Sequence, residues 1–439
     1  MKKADLFFRF CLLGPELWGL LLSVPIQSQV AGKPHQAESQ AVSHFNHAEK
    51  LADAQQYLQA ISEYKLALQE TPNDESALFG LAIAQAKAGQ NPDAIQSYLT
   101  VLKVNPKLWE AEVNLGILLL SQQSTSEALT HFQNAQTLNP KNFRVHYYTS
   151  KTQELLGDIA HAETSYLQAL DLAQEDWDRF EINASLGSLY LRKKSWPEAQ
   201  RHLLAARQLP SHTVTVDLDL AQLYYETGQP EKALDLLKSA NKSDDPEIHE
   251  LMGRILIAKK DNDQAIQSFE LALKNQKDPE RRRNLSLDLA QLYQQQGRTQ
   301  DAISLVDTIA KSSDDPRIHF TLGTLHLHDR QFEPARQEFL RALQLKPDYV
   351  ECYSNLGSVF LLEEKYPAAV EALGRFKALR PQVAGTYFYL GIAYDKLDDY
   401  PNAWAHYQKF LDLDQGKTDK QGFQARERMK VLEKKIKKR

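Results

Sequence analysis

Small and large apolar residues recur along this chain with a period of about 34 residues, over positions 41–416. Each period holds a small residue, an alanine twelve positions later, and a larger apolar residue four positions after the alanine. Around these positions run two stretches with apolar residues at i, i+3, i+4 and i+7, the spacing typical of amphipathic helices. The pattern therefore predicts about eleven consecutive pairs of helices and no β-strands.

The repeated positions keep their phase over the whole array, with separations of 32 to 37 residues between successive first small residues. The first small residues are Ala48, Ala82, Gly116, Ser150, Gly187, Ala221, Gly253, Ala290, Gly323, Gly357 and Gly391. The alanines are Ala60, Ala94, Ala128, Ala162, Ala199, Ala233, Ala265, Ala302, Ala335, Ala369 and Ala403. The larger residues are Tyr64, Tyr98, Phe132, Tyr166, Leu203, Leu237, Phe269, Val306, Phe339, Leu373 and Tyr407.

This spacing has a direct physical interpretation. Small side chains let the two helices of a pair approach closely, and the larger residue fills the space beside the contact. Proline closes many periods, because the residue before a proline disfavours the helical conformation; these prolines are Pro72, Pro106, Pro140, Pro347 and Pro381. One pair of helices cannot bury its apolar side alone, so neighbouring pairs are expected to stack.

The pattern resembles that of the tetratricopeptide repeat family. The third period shows the resemblance best, through Leu115, Gly116, Leu119, Ala128, Phe132, Ala135 and Pro140. The resemblance implies an all-α fold, a right-handed α-α superhelix of helix-turn-helix repeats. It also implies a concave groove lined by the first helix of each repeat, and a role in binding other proteins.

Two separations of 37 residues indicate short insertions near residues 175–178 and 276–282. The second insertion contains Arg281, Arg282 and Arg283, which are expected in a surface loop where they could contact an anion. The sequence Ser-Asp-Asp-Pro occurs twice, ending at Pro246 and Pro316. In both copies the second aspartate is expected to cap a helix whose first turn holds the proline.

The first 28 residues are typical of an export signal or an N-terminal anchor. Lys2 and Lys3 precede an apolar stretch at residues 10–26, in which Glu16 is the one charged residue. A membrane span needs about 20 apolar residues, so a cleaved signal peptide is favoured over a retained anchor. The protein is therefore expected to be exported, periplasmic or secreted, with membrane anchoring as the alternative. Residues 29–40 are expected to form a linker to the repeats.

Residues 417–439 predict a basic, amphipathic helix that caps the last repeat. The segment has ten lysines and arginines against three acidic residues, and Phe423, Met429, Leu432 and Ile436 are expected to form its apolar side. Terminal repeats need such a cap because nothing else covers their apolar face. Contact with anionic lipid or an acidic partner is the alternative role.

Composition adds little chemistry to this picture. The net charge is −5, so no nucleic-acid partner is expected. Neither metal-binding spacings of Cys and His nor a Gly-rich phosphate loop is present, and no catalytic residues, metal or cofactor are expected. Of the two cysteines, Cys352 is expected to be a small apolar filler in the core.

Partner binding is expected on the first helices of the repeats, where aromatic residues recur three positions before the first small residue. The candidate groove residues are Phe45, Phe79, Asn114, Tyr147, Tyr148, Phe320, Asn355, Phe388 and Tyr389. The expected function is a non-catalytic scaffold that binds an extended or helical partner segment. The alternative is a regulatory or substrate-presenting subunit of a multi-protein enzyme, or of an envelope or secretion complex, with attachment to a membrane as one form of it.

Overall fold

The computed structural model describes residues 36–211, 213–240 and 244–437 of the chain. In this part the secondary structure consists of 23 helices, and no β-strand occurs. The first eleven helices are α1 (Gln36–Asp53), α2 (Tyr57–Glu70), α3 (Glu75–Lys87), α4 (Asn91–Val104), α5 (Trp109–Ser121), α6 (Thr125–Leu138), α7 (Phe143–Leu155), α8 (Ile159–Leu172), α9 (Asp176–Lys193), α10 (Trp196–Arg207) and α11 (Val214–Glu226).

The remaining helices are α12 (Pro230–Ala240), α13 (Pro246–Ala258), α14 (Asn262–Asn275), α15 (Pro279–Gln295), α16 (Thr299–Ala310), α17 (Pro316–His328), α18 (Phe332–Leu345), α19 (Val350–Leu362), α20 (Tyr366–Leu379), α21 (Ala384–Lys396), α22 (Tyr400–Asp414) and α23 (Asp419–Ile436). Odd-numbered helices up to α21 are the first helices of the repeats, and even-numbered helices are the second. The predicted all-α, helical-repeat fold is confirmed.

The small residues lie where the two helices of a repeat touch. A Cβ atom added to Gly116 would lie 2.7 Å from the ring of Phe132, sixteen positions later, and one added to Gly357 would lie 2.5 Å from Leu373. All eleven alanines of the second small position are fully buried. These contacts confirm the physical role that the spacing predicts, because a larger side chain would separate the helices.

The two Ser-Asp-Asp-Pro copies cap helices as expected. The carboxylate of Asp245 accepts a hydrogen bond of 2.8 Å from the backbone N–H of Glu247, at the start of α13. Asp315 accepts the equivalent bond of 2.9 Å from Arg317, at the start of α17. Pro246 and Pro316 are the first residues of their helices, where a missing N–H costs nothing.

Both insertions lengthen helices, so the surface loop predicted for Arg281, Arg282 and Arg283 in the second insertion is wrong. Helix α9 begins eleven residues before Gly187, and α15 begins eleven residues before Ala290, whereas α5 begins seven before Gly116. Each insertion therefore adds about one helical turn at the N-terminal end. Arg281 and Arg282 lie in this added turn of α15 and Arg283 directly follows it, so none of the three lies in a loop.

The N-terminal prediction falls partly outside the described part of the chain. Residues 1–28, the expected signal or anchor, lie outside the described residues. Helix α1 already begins at Gln36, so residues 36–40, which were assigned to the linker, are helical. Among the described residues, none of the helices combines the length and the apolar character that crossing a membrane requires.

The described residues form two compact units that divide within α12, after Ala233. In unit one, the first helices of the middle repeats are enclosed by protein. Every residue of α5 from Ala111 to Leu119 is buried, since this helix is apolar on nearly all sides. In unit two, α17 is amphipathic in the ordinary way and buries only Ile318, His319, Leu322, Gly323 and Leu325.

Helix α23 covers the last repeat of unit two. Ala425, Met429 and Leu432 are buried in one cluster with Tyr407 and Phe410 of α22. The guanidinium of Arg428 donates two hydrogen bonds, of 2.5 and 2.8 Å, to the carboxylate of Asp395 on α21. Phe423 is 62% exposed, so its expected place in the apolar side of this helix is wrong.

The Cys352 thiol has the role expected from its sequence context. It is fully buried in a cluster with Ala335, Phe339 and Leu356. Burial raises the pKa of the Cys352 thiol to about 12. The side chain is therefore a structural filler in its neutral form.

Candidate partner-binding surface

The aromatic residues predicted for the groove make a regular contact inside their own repeats. In five repeats the ring three positions before the first small residue meets the ring nineteen positions later, on the second helix. The pairs and their centroid separations are Phe45–Tyr64 at 6.0 Å, Phe79–Tyr98 at 5.8 Å, Tyr147–Tyr166 at 6.0 Å, Phe320–Phe339 at 5.9 Å and Phe388–Tyr407 at 5.9 Å. Such pairs contribute about 0.5–1.5 kcal/mol beyond their area, so these rings join the two helices of a repeat.

In unit one, the predicted residues are largely enclosed. Phe79, Asn114, Tyr147 and Tyr148 are all buried, and Phe45 is half-buried. The Asn114 amide donates a hydrogen bond of 3.2 Å to the hydroxyl of Tyr98. Apart from Phe45, the side chains of this group are enclosed by protein and offer little surface to another molecule.

The charged groups beside Tyr147 are also occupied. The Tyr147 hydroxyl donates a hydrogen bond of 3.0 Å to Glu181 on α9, and the Lys151 ammonium lies 4.8 Å from the centre of the Tyr147 ring. Burial lowers the pKa of Lys151 below its usual value, although Glu181 and Glu154 oppose the shift. This cluster ties α7 to α9 and is a structural network of unit one.

Unit two presents a more open first-helix surface. Phe320 and Asn355 are half-buried, Tyr389 is 38% exposed, and Phe388 is buried beneath it. On α17, Arg317, Phe320 and Thr324 follow each other at i, i+3 and i+7 and so share one side of the helix. The unit-two face is defined by Asn284, Arg317, Phe320, Thr324 and Asn355, together with Tyr389, which occupies on α21 the position that Asn355 occupies on α19.

Hydrogen bonds join neighbouring helices along the unit-two face. The Arg317 guanidinium on α17 donates to the amide oxygen of Asn284 on α15 at 3.4 Å. The Asn355 amide on α19 donates to the hydroxyl of Thr324 at 3.5 Å. Both bonds are long, so these polar groups keep capacity for a further partner. The face is continuous over α15, α17 and α19.

An aromatic centre lies in the middle of the unit-two face. The ring of Phe320 lies 5.0 Å from that of Tyr349, which precedes α19, and 5.9 Å from that of Phe339. These two neighbours fix the ring while leaving part of it accessible. A fixed, half-exposed ring binds another apolar group with little loss of side-chain entropy.

Asp315 and Arg317 fix each other's charge state beside this face. Burial opposes ionisation of Asp315, but hydrogen bonds from the Arg317 side chain and backbone outweigh it, and the pKa of Asp315 lies below its usual range. Both groups are therefore charged at neutral pH. The shared carboxylate orients Arg317, with the Nη2 to Oδ2 distance at 2.6 Å.

Sequence reasoning identified three members of the unit-two face, Phe320, Asn355 and Tyr389, and missed Asn284, Arg317 and Thr324. Helical spacing is the signal that could have found two of them, because Arg317 and Thr324 lie one turn before and one turn after Phe320 on α17. In the described residues, His, Cys, Asp and Glu side chains form no group of three or more placed to hold a metal ion.

Comparison with known families matches the repeats found in the sequence. One tetratricopeptide repeat model matches residues 51–114, 190–255 and 256–322, and a second matches residues 113–178. Together they cover more than half of the chain. The chain belongs to the tetratricopeptide repeat family and is a protein-interaction scaffold of that type.

Individual relatives are distant. DnaJ homolog subfamily C member 3 of Gallus gallus is 25% identical over 376 residues, which are 82% of this chain and 70% of the relative. BBSome complex member BBS4 of Bos taurus is 26% identical over 302 residues, 68% of this chain and 57% of the relative. A solved tetratricopeptide repeat protein from Parabacteroides merdae is 17% identical, with a TM-score of 0.45, and covers 56% of this chain and 97% of that one.

Proposed function

We propose that the scaffold binds an extended segment of a partner protein on the unit-two face, without catalysing a reaction. The observation that carries this proposal is the contrast between the two units. The candidate residues of the middle repeats in unit one are buried, whereas Phe320, Asn355 and Tyr389 remain accessible. Partner binding requires surface, and unit two is where the first helices offer it.

The chemistry of the face favours an extended segment over a helix. An extended chain carries unpaired backbone N–H and C=O groups, which Asn284, Thr324 and Asn355 can satisfy. A helix already pairs its own backbone groups and would bury the remaining hydrogen-bonding capacity of these side chains without a partner. Phe320 and Tyr389 then supply apolar contacts for side chains of the bound segment.

The proposal also includes export of the chain. Its support is the sequence of residues 1–28, where a basic start precedes a short apolar stretch. Retention of that segment as a membrane anchor is the alternative, and the protein would then act as an attached subunit of an envelope or secretion complex. N-terminal sequencing of the mature protein distinguishes the two, because only cleavage yields a start near residue 29.

Site-specific photo-crosslinking tests the binding proposal. A benzophenone amino acid is placed at Tyr389 or at Phe320, and the adducts formed in the native cell are identified by mass spectrometry. The matched control places the same group at Leu340, which is 44% exposed but lies on the second helix α18. We expect one partner, with a defined crosslinked segment, from positions 320 and 389 and not from 340.

A second comparison connects crosslinking with binding energy. Asn355→Ala and Thr324→Ala, placed in the 389-labelled protein, are expected to reduce the adduct yield several-fold, because each removes a hydrogen bond to the segment. The helical content of each variant is checked by circular dichroism. Equal adduct yields from positions 340 and 389 would contradict the proposal.

A further inference from the structure

Helix α23 has a second side that the cap function does not use. One side packs on α22 through Ala425, Met429 and Leu432. The opposite side carries Lys420, Phe423, Glu427, Lys430, Lys434 and Lys437, at spacings of three and four residues along one line of the helix. All six residues are exposed, and this line is called the outer line of α23.

The basic residues of α23 divide into two groups with different roles. Arg428 is bound to Asp395, and the Lys435 ammonium lies 4.3 Å from the centre of the Tyr400 ring and donates to its hydroxyl at 3.2 Å. These two fasten the cap to the last repeat. By contrast, Lys420, Lys434 and Lys437 form no ion pair with any described residue.

Phe423 stands in the middle of the basic residues. Its side chain is 62% exposed, among the most exposed large apolar side chains in the described part of the chain. It lies one turn after Lys420 and two turns before Lys430. An exposed aromatic ring among lysines contributes nothing to the cap, because the buried side of α23 is complete without it.

We propose that the outer line of α23 binds the surface of a bilayer containing anionic lipid. The helix is about 27 Å long, so its lysines can contact several headgroups while Phe423 enters the boundary between headgroups and acyl chains. Glu427 lies on the same line, and its charge is compensated by Lys430, whose ammonium is 2.6 Å from the carboxylate.

A bilayer fits this surface better than an acidic protein does. A ring on the convex side of a single helix needs a complementary pocket in a protein partner, whereas lipid headgroups rearrange around it. Lysine, with a long flexible stem and one compact charge, suits a diffuse field of phosphates, while defined pairing with carboxylates favours arginine. Four of the five exposed basic residues between positions 420 and 437 are lysines.

Vesicle sedimentation with the full chain tests this inference. Vesicles of equal parts phosphatidylglycerol and phosphatidylcholine are compared with vesicles of phosphatidylcholine alone. Lys430→Glu with Lys434→Glu is expected to reduce binding to the anionic vesicles by roughly tenfold or more, since each lysine contributes separately to attraction by the surface. Phe423→Ala is expected to reduce it by about threefold or more, and binding is expected to fall as salt rises.

Two matched controls keep the test specific. Lys107→Glu with Lys141→Glu makes the same change of net charge at exposed positions of unit one, and Leu58→Ala removes an apolar side chain that is 66% exposed on α2. Both are expected to bind like the unaltered chain, and any contribution of residues 1–28 is common to all variants. If Lys107→Glu with Lys141→Glu lost as much binding to the anionic vesicles as Lys430→Glu with Lys434→Glu, the inference would be overturned. So would binding to polyglutamate without binding to anionic vesicles, which assigns the outer line to an acidic protein.

Discussion

At the scale of single residues, one steric contact explains most of the repeat pattern. In the six repeats whose first small residue is glycine, a Cβ at that position would meet the larger apolar residue sixteen positions later, and in all eleven repeats the alanine between the two positions is fully buried. Sequence alone was sufficient to find this contact, because the same three positions recur in eleven repeats. Small residues that recur only because they are frequent in the sequence would not keep the same spacing on both sides of an insertion.

Replacing Gly357 by leucine tests that contact. The new Cβ would lie 2.5 Å from Leu373, so the helices must separate and the free energy of unfolding should fall by about 1–3 kcal/mol or more. A Cβ added to Gly374, in the same repeat, would meet nothing within 4 Å, so Gly374→Leu should be neutral or stabilising. Urea unfolding followed by circular dichroism compares the two. Equal losses of unfolding free energy in the two variants would show that packing at position 357 does not cause the destabilisation.

The accessible surface was harder to predict than the core at this scale. Phe79 and Phe320 occupy equivalent positions, yet Phe79 is buried and Phe320 is half-buried. Helical periodicity places both on the same side of their helices, but exposure depends on the side chains that surrounding helices place around each ring. Those neighbours are a tertiary property, which the pattern of a single repeat does not contain.

At the scale of helices, the second insertion shows which sequence signal determines where a helix begins. Asp278 and Pro279 form the same aspartate–proline start that precedes α13 and α17, and the Asp278 carboxylate accepts a hydrogen bond of 2.6 Å from the backbone of Arg281. The sequence therefore held the signal for an early helix start at α15. The prediction of a loop at this insertion was wrong, because an inserted turn of helix satisfies its own backbone groups.

A buried histidine joins the two helices of the fifth repeat and gives a pH-dependent prediction. The imidazole of His202, on α10, lies 2.9 Å from the amide oxygen of Asn183 on α9 and 3.0 Å from the guanidinium of Arg201. The neutral ring satisfies both neighbours by donating from Nδ1 and accepting at Nε2. Burial, with a smaller contribution from Arg201, lowers the pKa of His202 to about 4.

Since the pKa of His202 is lower in the folded state than in the unfolded chain, its contribution to stability is present above about pH 6.5 and is lost as the pH falls towards 4. His202→Gln removes the titrating group while keeping a polar side chain. We expect the difference in unfolding free energy between the two proteins to shrink over this range, by about 2–3 kcal/mol at most. Urea titrations at several pH values measure it, and a constant difference would exclude this assignment.

At the scale of the whole molecule, a repeat array makes stability a local property. Each repeat is supported by its neighbours, so end repeats have fewer contacts than middle ones. The family, the number of helix pairs and the position of the cap followed from the sequence. The division after Ala233 did not, since no composition change or linker marks it within α12.

Hydrogen exchange should reflect this organisation. The amides of α5 are expected to exchange slowest in unit one, because the helix is buried on nearly all sides and opens only when its neighbours do. Helix α1, at the end of the described repeats, should exchange much faster. Mass spectrometry of deuterated peptides reports both in one experiment. Uniform protection from α1 to α7 would indicate cooperative unfolding of the unit instead.

The enclosed thiol of Cys352 has a practical consequence for spectroscopy. A sulfhydryl that is neutral and shielded reacts slowly with maleimides and methanethiosulfonates. With Cys11 replaced, a cysteine introduced on the surface becomes the site that a fluorophore or spin label modifies first. Pairs of labels then report distances along the array while Cys352 stays in place. Its removal would leave a void among Phe339 and its neighbours.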